Sequence, residues 1–211
     1  MKDNIIHYCN RRVSVIPNVV DVDKFHLIQK ELGETLNIGL LGGMGNYRKG
    51  LDILIKSLSL LKDLNLLTHI GGDGKYLEKF KTLAKDLGVF EKCRFYGEVL
   101  TKDISAFYSR LDLFVLASRD ETFGVVVVEA MASGLPVIAT DCGGPKEIIT
   151  AETGLLVEKE NPIELAKAIK FMKQNIHHYN RDLIRKYVSE KYGQIPFAER
   201  ISQFYSEILN T

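Results

Sequence analysis

Several features that would narrow the function are missing from this sequence. Its three cysteines, Cys9, Cys93 and Cys142, are an odd number, lie far apart and form no C-x-x-C pair, so we expect free thiols rather than disulfides. The 28 basic and 27 acidic side chains nearly cancel, which argues against a nucleic-acid-binding protein. No apolar run approaches the roughly 18 residues of a membrane span, and the N-terminus has no apolar signal region. We therefore expect a soluble, cytoplasmic protein, with peripheral contact at the inner face of a membrane left open.

Hydrophobic residues make up 45% of the 211 residues, enough for a sizeable core, and short apolar runs alternate with helical patterns. The candidate strands are Val13–Ile16, Leu36–Leu41, Leu66–Ile70, Cys93–Tyr96, Leu111–Leu116, Val137–Thr140 and Leu155–Val157. The candidate helices are Gly50–Leu64, Lys75–Leu87, Thr101–Ser109 and Pro162–Lys173. Nearly continuous apolar strands are typical of a parallel sheet that is covered on both faces. The alternation predicts a doubly wound, Rossmann-like α/β fold, with a ligand site where loops leave the carboxyl ends of strands.

One stretch, ETFGVVVVEAMASGLP, carries two glutamates separated by four valines. Four β-branched residues favour a buried strand, but the Glu-Ala-Met-Ala that follows favours a helix, and Gly-Leu-Pro is a helix stop. We predict a helix from Phe123-Gly124 to about Ser133. Glu121 then precedes the helix and Glu129 lies about two turns in, so both carboxylates are near the end where free N–H groups bind anions.

The loop GGMGNYRKG follows the Leu36–Leu41 run and brings Arg48 and Lys49 to the start of the next helix. Glycines let a backbone approach phosphate closely, and cations at a helix N-terminus oppose the macrodipole unless an anion binds. A solvated helix start stays an alternative for these two cations. The later GGDG, residues 71–74, is interpreted as a strand-to-helix turn.

A series of blocks occurs in the order known from one enzyme family. The blocks are IPNVVDVDKF (16–25), GGMGNYRKG (42–50), GGDG (71–74), RFYGEV (94–99), SRDETFGVVVVEAMASGLPVIATDCGGPKEII (118–149) and TGLLVE (153–158). The series resembles the C-terminal, donor-binding domain of retaining glycosyltransferases of the GT-B fold, family four. The resemblance covers roughly residues 14 to 175. The two-glutamate block with its ASGLPVIAT tail is highly specific, whereas GGDG alone would be weak.

The resemblance implies three catalytic residues. Arg48 and Lys49 would neutralise the diphosphate of a nucleotide-sugar as it leaves, and Glu121 would hydrogen-bond hydroxyls of the donor sugar. Retention in this family is thought to pass through an oxocarbenium-like state without an evident enzyme nucleophile. The expected contribution of these residues is therefore electrostatic.

The resemblance also implies a donor-binding set. Glu129 would bind ribose hydroxyls, the segment 96–99 would hold the base, which we expect to be uracil, and backbone N–H groups at the helix start would face the sugar and the diphosphate. The donor-binding positions are Gly42, Gly43, Tyr96, Val99, Phe123, Gly124, Val125 and Glu129. We expect no cofactor and no metal, since the formal D-x-D at Asp21-Val22-Asp23 lies before the sheet in a linker-like block.

One position departs from the family pattern. The family usually places an arginine directly after the first glycine of the phosphate loop, six residues before the lysine. Gly43 stands there in this sequence, and Arg48 in the neighbouring turn is the residue that could supply the charge.

Three segments follow from the resemblance: residues 1–25 as interdomain linker and first strand, 26–175 as the donor-binding domain, and 176–211 as C-terminal helices that cross back towards an N-terminal domain. We expect the acceptor, a glycan, lipid or small molecule, to be bound by an N-terminal domain that this chain lacks. A piece of a longer enzyme is one explanation, and a natural split enzyme is another. Either way the chain alone should transfer little or nothing, and its last helix should leave apolar surface exposed.

Two other functions stay open at this point. A sugar-nucleotide epimerase of the same two-domain fold would use similar phosphate and ribose contacts, and its products would distinguish it, since it needs no acceptor. A non-catalytic module could keep the fold and bind a nucleotide-sugar without turning it over. Intact Glu121, Glu129 and Lys49 argue against such decay, while Gly43 argues mildly for it.

Overall fold

The computed structural model describes residues 14–27 and 31–209. In this part of the chain, six parallel strands form a sheet with the order β3-β2-β1-β4-β5-β6. The strands are β1 (Leu36–Leu41), β2 (Leu66–Gly71), β3 (Cys93–Gly97), β4 (Leu113–Leu116), β5 (Val137–Thr140) and β6 (Gly154–Val157). The strand order reverses between β1 and β4, which is the switch point at which open α/β sheets bind ligands. The predicted doubly wound parallel fold is confirmed.

Helices connect the strands and continue beyond the last one. The α-helices of the described ranges are α1 (Leu51–Ser59), α2 (Leu77–Asp86), α3 (Ile104–Tyr108), α4 (Val125–Ala132), α5 (Pro145–Ile148), α6 (Pro162–Asn175), α7 (Arg181–Tyr192) and α8 (Gln194–Leu209). Short 3-10 turns lie at Val22–Lys24, Phe90–Lys92, Thr101–Asp103 and Ile176–His178. No helix among the described residues is both long enough and apolar enough to span a bilayer.

The sheet separates two hydrophobic cores. On one face α1, α2 and α6 pack together, and Leu54 and Ile169 are completely buried there. On the other face α3, α4 and α7 pack, with Met131 of α4 and Val188 of α7 completely buried. The strands are apolar on both faces because both faces are covered, as all four residues of β4 and of β5 show by being buried. The helix α8 contributes no buried residue to either core.

Most strands match the apolar runs closely, but one predicted strand does not form in its described residues and another begins later than predicted. The run Val13–Ile16 forms no strand over its described residues 14–16, and Val13 lies outside the described part. The chain that follows this run lies against the end of α7, where the Val20 N–H donates to the Tyr192 carbonyl at 2.8 Å. The strand predicted from Leu111 starts at Leu113 because the Leu111 N–H closes a turn on the Tyr108 carbonyl at 2.9 Å.

The cysteines behave as the sequence predicts where the structure describes them. Cys93 and Cys142 are free and buried. Cys9 lies outside the described residues. Burial raises the pKa of the Cys93 thiol to about 12 and also raises that of Cys142.

Candidate functional site

The loops that leave the two central strands meet at the carboxyl end of the sheet. The loop after β1 carries residues 42–50, and the loop after β4 carries residues 117–124. The second loop is fixed in turn to the loop after β5, because the Glu121 N–H donates to the Cys142 carbonyl at 3.0 Å and the Gly144 N–H donates to the Glu121 carbonyl at 2.8 Å. Three separate parts of the chain therefore build one edge.

Helix α4 starts at this edge. Gly124 precedes it with a φ of 103°, a left-handed conformation that favours glycine. The four valines open the helix instead of forming a strand, and Val127 and Val128 are buried. The first N–H groups of an α-helix have no partner one turn earlier, so those of α4 can bind an anion at the loop. The predicted helix from Phe123-Gly124 to about Ser133 is confirmed.

Lys49 and Glu121 form an ion pair across the two loops. The Lys49 Nζ lies 2.5 Å from Glu121 Oε2, and the two side chains are only 15% and 12% exposed. A charge-assisted hydrogen bond with so little solvent contact is stronger than a surface ion pair. The structure thus brings together the cation that we assigned to the leaving diphosphate and the carboxylate that we assigned to the donor sugar.

Arg48 lies beside this pair with its side chain in solvent. Its backbone N–H donates to Asn46 Oδ1 at 2.8 Å, which closes the turn ahead of α1. Within the described ranges no carboxylate pairs with the Arg48 guanidinium. An unpaired cation near the start of α1 opposes the helix dipole, so an anion bound there would be favourable.

Glu129 faces a different space, a cleft of about 620 Å³ between the loops after β1, β2 and β3. Its Oε2 accepts a hydrogen bond of 3.0 Å from the Tyr108 hydroxyl, and Tyr108 itself is completely buried. Burial raises the pKa of Glu129, and the hydrogen bond from Tyr108 lowers it in part. The carboxylate is thus half-buried, with one side held by the protein and the cleft on the other.

Two glycine-rich loops form a wall of this cleft. Gly42 and Gly43 line it together with Gly72, Asp73 and Gly74. A Cβ on Gly72 would come within 1.9 Å of the Gly42 carbonyl oxygen, so only glycine allows the loops to approach so closely. The GGDG segment, interpreted from sequence as a strand-to-helix turn, is such a turn and also part of the cleft.

The remaining predicted residues are divided between the cleft and its surroundings. Val99 and its neighbour Glu98 line the cleft. Tyr96 does not line it; its hydroxyl lies 2.7 Å from His69 Nδ1, and the two rings stack. That Tyr96 helps to hold the base of the donor therefore remains a prediction.

A larger cavity of about 840 Å³ lies on the other side of the α4 start. Glu121 and Phe123 line it from the loop after β4, and Asn18, Glu147 and Arg200 line it from three other segments. Glu121 therefore faces the larger cavity while Glu129 faces the smaller cleft. A ligand with hydroxyls at both ends and an anionic centre fits this arrangement, with its centre at the N-terminus of α4.

Sequence reasoning missed Arg119. Its Nη1 and Nη2 donate to the two carboxylate oxygens of Asp52 at 2.9 and 2.8 Å, its Nε donates to Glu160 at 2.9 Å, and its Nη1 also reaches the Tyr47 carbonyl at 2.5 Å. The hydrogen bonds that Arg119 donates to the Asp52 carboxylate raise the pKa of Arg119 far above its usual value. The signal that could have revealed it is its place two residues before Glu121.

No metal centre is evident in residues 14–27 and 31–209, where no three His, Cys, Asp or Glu side chains lie close enough together to hold an ion. Of the formal D-x-D pair, Asp21 lies 3.3 Å from the Lys24 ammonium. The two aspartates flank the start of a 3-10 turn, and Lys24 is that turn's last residue.

Comparison with known proteins gives one consistent family. Residues 24–189 match the sequence pattern of the family described as Glycosyl transferases group 1. The chain is 32% identical over 190 residues to the D-inositol 3-phosphate glycosyltransferase of Corynebacterium glutamicum, a match that covers 80% of this chain and 46% of that protein. The chain thus spans about half the length of the curated relatives that it matches.

Solved structures share the fold. The C-terminal domain of a group 1 glycosyl transferase (LpcC) from Francisella tularensis is 26% identical with a TM-score of 0.71, over 83% of this chain and 99% of that one. Anabaena HepE, crystallised with UDP, is 22% identical with a TM-score of 0.81, over 92% of this chain and 57% of that one. The chain thus matches nearly the whole of an isolated C-terminal domain and about half of the HepE chain.

Proposed function

Because this chain belongs to the Glycosyl transferases group 1 family and has the fold of a GT-B C-terminal domain, we propose that it binds a UDP-sugar and presents it for retaining transfer to an acceptor. One observation carries the proposal. The start of α4 lies between the Lys49–Glu121 pair, at 2.5 Å, and the cleft that Glu129 lines. A cation, a helix N-terminus and two carboxylates in this order match a diphosphate between two hydroxyl-bearing sugars.

The donor lies across the edge of the sheet. Its ribose hydroxyls bind Glu129 in the smaller cleft, and its diphosphate lies at the N-terminus of α4. Lys49 and Arg48 balance the charge of the diphosphate. Glu121 binds hydroxyls of the transferred sugar on the side of the larger cavity.

Catalysis by this half of the site is electrostatic. As the bond to the sugar breaks, negative charge grows on the diphosphate, and fixed cations and N–H groups stabilise it. Each charge-assisted hydrogen bond contributes about 1.5–3 kcal/mol, so the loss of one costs roughly one to two decades in the step that it serves. The protein cations supply this neutralisation without a metal ion.

The acceptor is bound elsewhere. The larger cavity that Glu121 lines is the side from which an acceptor reaches the sugar, and an additional domain supplies the acceptor contacts. The curated relatives are about twice as long as the match, which supports a second domain. By itself the chain binds donor and transfers little or nothing.

A thermal-shift panel tests the donor. UDP, GDP and ADP, each with and without an attached sugar, are added to the chain with and without EDTA. Binding to the native state raises the melting temperature by mass action, so the UDP forms should give the largest shift and EDTA should leave it unchanged. A larger shift with GDP or ADP refutes uracil, an EDTA-sensitive shift refutes the metal-free site, and no shift with any nucleotide refutes donor binding.

A further inference from the structure

Arg119 makes more contacts in the loops of the site than any predicted site residue, although it faces neither the cleft nor the larger cavity. Four hydrogen bonds occupy its guanidinium, two of them to Asp52, one to Glu160 and one to the Tyr47 carbonyl. A guanidinium has five N–H donors, so most of its capacity is already used within the protein. This argues that Arg119 does not itself bind the donor.

These contacts join the loop of Arg119 to two parts of the chain that are distant from it in sequence, the segment 47–52 and Glu160. Asp52 lies in the first turn of α1, Tyr47 lies in the loop before that helix, and Glu160 follows β6. Glu160 has a φ of 58°, a left-handed conformation that is uncommon for a residue with a side chain. Asp52 is 5% exposed, and its carboxylate is compensated by the bidentate contact with Arg119 at 2.8 and 2.9 Å and by the more distant Lys56 ammonium at 3.8 Å.

The backbone of Arg119 adds a hydrogen bond next to the Lys49–Glu121 ion pair. Its N–H donates to the Arg48 carbonyl at 2.8 Å, one residue before Lys49. Glu121, two residues after Arg119, accepts a hydrogen bond from the Lys49 ammonium. Arg119 therefore holds the main chain on both sides of the ion pair, the 47–48 segment through Tyr47 and Arg48 and the 119–121 segment through its own backbone.

We infer that Arg119 is a positioning residue for the binding of the donor diphosphate. It fixes the cationic loop 47–49 against the loop that contains Glu121 and leads into α4. The inference rests on the proposed function. A cation that is held in place before binding loses little conformational entropy when the anion binds. The contacts of Arg119 should therefore raise the affinity for the phosphate part of the ligand. Lysine cannot replace arginine here, because an ammonium lacks the planar fork that spans Asp52.

The test compares two ligands on the same variant. In Arg119→Lys, affinity for UDP should fall about tenfold, equivalent to about 1.4 kcal/mol, while affinity for uridine changes less than about twofold. Chemical-shift titration measures uridine, and calorimetry measures UDP. Arg94→Lys is the matched control, because Arg94 is exposed on the edge strand β3 and should leave both affinities unchanged.

If Arg119→Lys folds and both affinities fall together, the inference is overturned, as it is by an unchanged UDP affinity. If Arg119→Lys does not fold, Glu160→Ala decides the question, because the Glu160 side chain is 58% exposed and its removal frees only the Nε side of Arg119. We expect this variant to lose about two- to threefold in UDP affinity, in line with a single partly exposed contact, and none in uridine affinity. An unchanged UDP affinity refutes the role. Failure of the wild-type chain to bind any nucleotide would instead refute the proposed function, and the inference with it.

Discussion

Gly43 gives the sharpest test of the phosphate site, because the structure leaves room for the arginine that the family pattern has there. Gly43 is exposed, lines the cleft, and a Cβ built on it would meet no atom within 4 Å. Its φ lies outside the left-handed region, so a side chain causes no backbone strain. Gly43→Arg should therefore fold normally and place a third cation, after Lys49 and Arg48, beside the diphosphate.

The size of the gain follows from two opposing contributions. One or two charge-assisted hydrogen bonds contribute about 1.5–3 kcal/mol each, and ordering an arginine side chain costs up to about 2 kcal/mol. We expect a net gain of about 1–2 kcal/mol, which is roughly a five- to thirtyfold tighter affinity for UDP. Calorimetry at physiological ionic strength measures it, since low salt would exaggerate the effect of any added charge.

Gly45→Arg provides the control for charge alone. Gly45 lies in the same loop with no atom within 4 Å of a built Cβ, but it does not line the cleft. An equal gain in both variants would show that only the general field had changed. No gain in Gly43→Arg would mean that the diphosphate does not pass this loop, and the assignment of the cleft would be wrong.

Three further predictions concern the glutamates and the last helix. Glu129→Gln should lower the affinity for UDP and for UDP-sugar alike, whereas Glu121→Gln should lower only the affinity for the UDP-sugar. Isothermal titration measures both affinities, and equal losses for both ligands in both variants would contradict these roles. Because burial raises the pKa of Glu129 in the folded chain, its contribution to stability is largest at acidic pH and is lost as pH rises through the folded pKa. Glu129→Gln should therefore stabilise the ligand-free chain more at pH 8 than at pH 4, and a melting-temperature difference that does not vary with pH would refute the burial argument. Residues 197–209 of α8 should exchange amide hydrogens faster than α7, because α8 has no buried residue and Leu209 is 83% exposed; protection equal to that of α7 would show a docking that the static structure lacks.

The fold was predictable where one local signal dominated. The run Leu36–Leu41 is apolar except for Asn37, ends at a pair of glycines, and forms β1 with the predicted bounds. In α4 the signals were opposed, because the four valines favour a strand and the residues after them favour a helix. The helix formers together with Gly134 and Pro136 indicated the helix, which is correct. Val13–Ile16 had the composition of a strand, but a strand also needs a neighbour to pair with, and no local pattern shows whether one exists.

From the sequence, residues of the candidate site could be assigned only one motif at a time, and their roles towards a ligand stay predictions. Lys49 and Glu121 were assigned from separate motifs, and their pairing at 2.5 Å depends on a sheet that brings positions 72 residues apart together. Arg119 could not be identified in the same way, because its partners Asp52 and Glu160 lie in elements whose relation only the three-dimensional structure provides. Tyr96 was assigned from its block, and its hydrogen bond to His69 is invisible in the sequence.

The packing of α4 against α7 has a consequence for how the chain is made. Helix α4 is complete at Ala132, but α7, which covers one side of it, ends only at Tyr192, about 60 residues later. At the usual synthesis rate of about 5–20 residues per second, α4 is therefore present for several seconds before α7, which packs against it, has been synthesised. During that time four adjacent β-branched residues form the kind of segment that pairs with other chains. Nascent chains stalled when α4 has left the ribosomal tunnel and α7 has not should accordingly recruit chaperones, and chains released from the ribosome should not.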